Sequence, residues 1–207
     1  MKRMLALLLS LSLLLSGCAG ALEEQKQYTA TFLTVFDTVT TIVGRDESEE
    51  AFSEKAQAIH DELLIYHQLF DIYNEYDGFH NLKTVNDRPG EAVTVDQDII
   101  DLLLDCKRYY DLPGGRVNAA MGSVLALWHE TRSDGLDDPM NARLPDADAL
   151  AEAAKHTGWD SIVIDEADRT VTITDPGVKL DVGAIAKGWA VQRVAENAPE
   201  GLLISVG

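Results

Sequence analysis

The sequence predicts an α+β fold, a mixed β-sheet with flanking helices, and three stretches carry that prediction. Thr29 to Val43 is rich in β-branched residues and alternates in polarity, which argues for a strand or a hairpin. Two stretches, beginning near Phe52 and Ile99, repeat apolar residues at intervals of three and four, the mark of helices with one buried face. Finally, Val178 to Glu196 runs from an extended segment through a glycine turn into a helix.

The chain opens with Lys2 and Arg3, then an apolar run of eleven residues, Leu5 to Leu15, closed by Leu15-Ser16-Gly17-Cys18. Eleven residues fall short of the roughly twenty that span a bilayer, so residues 1–17 read as a signal peptide. Cys18 sits where a lipobox places the residue that is lipid-modified. The expected mature protein therefore begins at Cys18, acylated and anchored on the extracytoplasmic face of the cell membrane, with residues 18–28 as a polar tether. Residues 29–207 form the domain. Cys106, the other cysteine, lies on an apolar helix face and is expected to be a buried thiol rather than half of a disulfide.

Asp46 and Glu49 have the spacing of a capping box, and Phe52, Ala56, Ile59, Leu63, Tyr66 and Phe70 follow as one helix face. His60 and His67 lie two turns apart on that helix, too far apart to share a metal by themselves, and read as surface or boundary residues. Asn86-Asp87-Arg88-Pro89-Gly90 reads as a turn. Val93 to Val95 is a short strand, and Asp96 caps a helix through Ile99, Ile100, Leu103, Leu104 and Tyr110, ended by Pro113-Gly114-Gly115.

Beyond it, His129 reads as a helix-end residue, and Thr131 to Asn141 reads as a loop. Asp146 caps a short helix from Ala147 to Thr157, stopped by Gly158. Ser161 to Asp165 and Thr170 to Thr174 form a hairpin. After the Asp175-Pro176-Gly177 turn, Val178 to Leu180 is extended, Gly183 makes a tight turn, and Ala184 to Glu196 is a helix. A helix opening of this kind offers free backbone N–H groups and the positive end of the dipole, which suits a phosphate. Leu202 to Gly207 reads as a buried strand.

The segment DVGAIAKGWAVQRVAE, from Asp181 to Glu196, resembles the D-[LV]-G-[GA]-I-A-K-G-[YW]-A-V-D-R-V-A segment of the bacterial FAD:protein FMN transferases, the ApbE-like flavin transferases. The match is long and ungapped. It extends weakly to Phe36-Asp37-Thr38, in the place of the family's Met-Gly-Thr, to Tyr73, to Gly115-Arg116-Val117-Asn118, in the place of Gly-Ala-[FL]-Asp, and to Met121 through Trp128, where the family packs a helix Trp into its core.

The resemblance implies an enzyme that uses FAD and Mg2+. It would transfer FMN to a threonine or serine hydroxyl of a redox subunit in a membrane electron-transfer complex, releasing AMP. Asp181 and Lys187 would contact FAD, the Ala184 carbonyl would bind the metal, and Tyr73 would stack on the isoalloxazine. Phe36 replaces the family's methionine against the flavin, or is simply a core phenylalanine. Arg116, Val117 and Asn118 would line the flavin or adenosine pocket, with Asn118 in place of an aspartate. The resemblance covers only the N-terminal part of the family's pattern. The general base and most metal ligands are accordingly expected beyond Gly207, in a longer enzyme of which this domain is a part.

Composition narrows the partners. Across 207 residues the formal charge is −18, with 46% hydrophobic residues, and no basic stripe exists for a nucleic-acid backbone. Two other outcomes stay open at this level: hydrolysis of FAD to FMN and AMP, and a tethered flavin-binding protein without catalysis.

Overall fold

A computed structural model describes residues 25–112 and 117–207. The signal segment, Cys18, the Pro113–Gly115 stop and Arg116 lie outside the described residues. Strand β1 (Lys26–Val35) and strand β2 (Thr38–Asp46) form an antiparallel hairpin. Burial along β2 alternates strictly from Val39 on, with Thr40, Ile42, Gly44 and Asp46 facing inward, which is why the β-branched run was readable as sheet. The two-residue turn is Phe36-Asp37, both at positive φ (53° and 50°), the type I′ geometry whose twist matches a hairpin. Neither is glycine, so the tip holds backbone strain of about 1–3 kcal/mol per residue.

Helix α1 (Glu49–Phe70) lies across this hairpin, burying Phe52, Ala56, Ile59, Leu63, Tyr66, Leu69 and Phe70. Its cap is Ser48, whose hydroxyl accepts from Ala51 N at 3.1 Å, with Glu49 and Glu50 in the first turn complementing the dipole. The Asp46–Glu49 capping box does not form. Asp46 still belongs to β2, and its carboxylate accepts from Lys55 Nζ at 2.6 Å and from Glu47 N at 3.0 Å.

Helix α2 (Leu82–Asp87) takes up the residues read as the approach to a turn. Asn81 caps it in a reciprocal box with Thr84. Strand β3 (Val93–Thr94) leads into helix α3 (Gln97–Asp111), capped by Asp96, with Ile99, Ile100, Leu102, Leu103 and Cys106 buried. Burial pushes the Cys106 thiol up to about 12, which leaves it unreactive.

Helix α4 (Gly122–Asp137) runs well past the expected end. The supposed loop at Thr131 is helix as far as Asp137, and only Pro139–Asn141 turns away, as a 3₁₀ segment. Polar residues on every face gave no periodicity to read, since only Gly122 of this helix is buried. For the same reason Trp128 is not in the core but 46% exposed. Gly122 is required by a close approach: a Cβ there would stand 2.6 Å from the Lys179 carbonyl oxygen, to which Gly122 N donates at 2.9 Å.

Helix α5 (Ala147–Ala153) is capped by Asp146 as expected but stops before Thr157. After a 3₁₀ turn at Trp159–Ser161, strands β4 (Ile162–Asp165) and β5 (Thr170–Ile173) pair antiparallel, and β3 joins the other side of β5. Helix α6 (Ala186–Asn197) begins two residues later than read. Strand β6 (Leu203–Val206) pairs with β2. It is not buried as expected: it is an edge of the described sheet, and Leu203 is exposed.

The described residues thus hold two three-stranded sheets, ordered β1-β2-β6 and β3-β5-β4, with all strand pairs antiparallel. A single parallel bridge, Met121 with Lys179, ties the start of α4 to the segment that feeds α6. The class is α+β. An aromatic cluster joins α1 to α6: the Trp189 ring meets Tyr66 edge-on at 5.6 Å and Phe70 at 5.5 Å.

Candidate functional site

The approach to α6 is fixed from two sides before it turns. The Asn86 side chain brackets Leu180, donating from Nδ2 to the carbonyl at 2.9 Å and accepting from its N–H on Oδ1 at 2.7 Å. This replaces the turn role read for Asn86, which is helical. On the other side Asp181 N donates to the Ala119 carbonyl at 2.8 Å. Because the segment is pinned at residues 179, 180 and 181, the Asp181 side chain and the turn after it have a set direction.

Asp181 Oδ1 accepts from Gly183 N at 2.9 Å, and Gly183 is not in the left-handed region. Its lack of a side chain serves proximity instead, since a Cβ would lie 3.1 Å from that carboxylate oxygen. The Val182 carbonyl accepts from both Ile185 N and Ala186 N at 2.9 Å, closing the turn. Helix α6 then starts at Ala186, and Ile185 at the cap position offers no side-chain cap. Among the described residues no backbone N–H donates to the Ala184 carbonyl.

This turn forms one wall of a cleft of about 530 Å³. Four of the expected site residues meet there: Phe36 and Tyr73 as the aromatic walls, and Asp181 and Lys187 from the α6 turn. The Lys187 stem passes the end of β6 beside Thr38, for a Cβ on Gly207 would stand 3.8 Å from Lys187 Cε and 3.2 Å from Thr38 Oγ1. Val117 and Ala184 face a second cavity of about 660 Å³ between α3 and α6, walled also by Trp189 and Arg193. Asn118 has its side chain engaged within the chain, donating to the Thr157 carbonyl at 2.9 Å and accepting from Ala120 N at 2.9 Å.

Five ionisable side chains in the cleft were not assigned to a site from the sequence: Asp37, His67, Asp71, His129 and Arg132. His129 is not at a helix end but inside α4, one turn before Arg132. Its Nε2 lies 3.8 Å from Asp181 Oδ2, and its ring meets Tyr73 edge-on at 5.9 Å. Asp71 organises the loop that presents Tyr73. Its carboxylate accepts from Tyr73 N at 2.6 Å, Asn74 N at 3.1 Å, Asn74 Nδ2 at 2.9 Å and the Tyr76 hydroxyl at 2.7 Å. Burial alone would raise the Asp71 carboxyl, but these donors outweigh it and hold it below the usual carboxylate value. Burial and that same bond push the Tyr76 phenol up to about 12, so it stays a donor. Tyr73 itself keeps 58% of its surface exposed, leaving a ring available to a planar ligand.

Residues 34–202 match the model of the ApbE family. The chain belongs to the ApbE family. It is 31% identical over 136 residues to a protein of Treponema pallidum named FAD:protein FMN transferase, covering 61% of this chain and 36% of that one. A protein of the same name from Chlamydia muridarum is 25% identical over 142 residues, 68% of this chain and 43% of the other. This ApbE-family chain thus spans less than half the length of those curated relatives.

Among solved structures, the ApbE protein of Thermotoga maritima superposes with a TM-score of 0.71 at 26% identity, covering 88% of this chain and 57% of that one. The flavin transferase ApbE of Vibrio cholerae gives 0.70 at 18% identity, covering 88% and 58%, a likeness of fold. The ApbE fold is therefore the architecture of this domain, an α+β arrangement of small sheets with helices around them.

Proposed function

We propose that this domain belongs to a lipoprotein FAD:protein FMN transferase. The observation that carries the reading is the cleft itself. In a chain of the ApbE family, it gathers Phe36, Tyr73, Asp181 and Lys187 at an uncapped helix start. The two aromatic side chains suit the faces of an isoalloxazine, and Lys187 supplies a point charge for a phosphate. Asp181, braced by its bond to Gly183 N, is positioned to accept from a ligand hydroxyl or amide.

In the reaction, the hydroxyl oxygen of an acceptor threonine or serine attacks the FMN-side phosphorus of FAD. A new P–O bond forms, the pyrophosphate P–O bond breaks, the hydroxyl proton passes to water, and AMP departs. Mg2+ bound with the substrate would neutralise charge growing on the leaving phosphate. The Ala184 carbonyl would be one oxygen donor, being free of backbone N–H partners among the described residues, but Ala184 lines the second cavity rather than the cleft itself. No group of three His, Cys, Asp or Glu side chains that could cage a metal occurs among the described residues. Phosphate oxygens and water suit the remaining positions of a magnesium ion, which takes few protein ligands. The anchor at Cys18 would hold the enzyme at the extracytoplasmic membrane surface, beside a redox subunit as acceptor.

The test is to incubate the full protein with FAD, Mg2+ and a threonine-bearing acceptor subunit. Release of AMP in step with protein-bound flavin fluorescence that survives denaturation is the expected result. AMP and free FMN without bound flavin would make the protein a hydrolase, and binding with no AMP would make it a flavin carrier.

A further inference from the structure

The hairpin tip that brings Phe36 to the cleft is strained, and one side chain holds it. Phe36 N donates to His67 Nδ1 at 3.2 Å, and the two rings meet edge-to-face at 5.6 Å. His67 stands in the last turn of α1, a helix anchored by seven buried residues, so it is a firm support for a tip with two non-glycine residues at positive φ. A backbone N–H can only donate, so the accepting Nδ1 carries no proton and the imidazole is neutral, with its hydrogen on Nε2.

We infer that His67 is a positioning residue of the cleft, its neutral Nδ1 holding the β1–β2 tip in the conformation that presents Phe36 to the ligand. The inference rests on the proposed flavin site. Its sign follows from the bond: protonation turns Nδ1 into a donor facing the Phe36 N–H, which loses its partner, and the strained tip is released. Affinity for FAD therefore falls on the acid side. Other charged and titratable groups line the same cleft. Asp37 comes from the tip, while Asp71 and Tyr76 come from the segment leaving α1, the Tyr76 ring at 6.5 Å. Across the cleft stand Asp181 and Lys187 from the α6 turn, and His129 and Arg132 from α4.

The experiment uses the full protein in two parts. Nitrogen-15 NMR of the imidazole reads the tautomer, and the Phe36 amide is followed as His67 titrates. FAD affinity is then measured by flavin-fluorescence quenching across the same pH range for the wild type and for His67→Asn, whose side-chain oxygen keeps an acceptor near Nδ1 but does not titrate. The expected results are a proton on Nε2, a Phe36 amide that moves with the His67 titration, and wild-type affinity that weakens about three- to tenfold on acidification. His67→Asn should bind with a flatter pH profile. A proton on Nδ1, a Phe36 amide indifferent to the titration, or an unchanged profile in His67→Asn would overturn the inference. If FAD does not bind at any pH, the flavin reading fails, while the Phe36 amide still decides whether His67 holds the tip.

Discussion

Replacing Trp189 by alanine should destabilise the domain by about 3–5 kcal/mol, the usual cost of truncating a large buried aromatic. The indole joins three layers. Its edges pack on Tyr66 and Phe70 of α1, its Nε1 donates to Asp105 Oδ2 of α3 at 2.9 Å, and the Arg193 guanidinium lies 4.7 Å above its ring. Alanine would leave a void between α1 and α6 and remove the donor that Asp105 uses. Trp189→Phe should keep most of the edge contacts and lose the indole bond, costing about 1–2 kcal/mol. Urea unfolding reads both, as a lowered midpoint with an unchanged slope. A loss under about 1 kcal/mol for the alanine variant would mean that α6 is held by other contacts. Since α6 also carries Ala186 and Lys187 into the cleft, the alanine variant should weaken FAD binding as well.

Lys187→Ala should lower FAD affinity by about 10- to 100-fold, the range expected for removing one charge-assisted hydrogen bond to a phosphate. The protein is strongly acidic, so any lost cation also worsens long-range repulsion of a dianionic ligand. Lys155→Ala separates the two effects. It changes net charge equally, but Lys155 sits on the surface paired with Glu152, away from the cleft. The Lys155 variant should bind FAD within about twofold of the wild type and differ only in low salt. Equal losses in both variants would mean that charge alone, and no contact from Lys187, draws the ligand.

Much of the frame was legible because local pattern and tertiary burial agree in it. Strand β2 alternates, α1 and α3 carry one apolar stripe each, and Asp96 and Asp146 cap helices by ordinary side-chain bonds. The pattern failed where burial did not impose it. Only Gly122 of helix α4 is buried, so its polar second half looked like a loop, and Trp128 looked like core only through the resemblance. The cap of α1 was misplaced by two residues because Asp46 and Ser48 are both plausible caps, and the chain remains in β2 as far as Asp46.

The site was half legible for a different reason. Phe36, Tyr73, Asp181 and Lys187 were named through the resemblance, and they share a cleft. His67, Asp71 and His129 act through partners distant in sequence or through loop geometry. His67 binds the backbone of Phe36 thirty-one residues away, and Asn86 grips Leu180 across ninety-four. No spacing rule reaches that far.

On the proposed reading, flavin binds between Phe36 and Tyr73 over the start of α6. Titrating FAD into nitrogen-15-labelled full-length protein, with amide shifts followed residue by residue, tests it most directly. The largest shifts are expected at Phe36, Asp37, Tyr73 and Gly183 through Lys187, with the exposed face around Trp128 and Met140 unmoved. Shifts confined to that exposed face, or no shifts at saturating FAD, would contradict it.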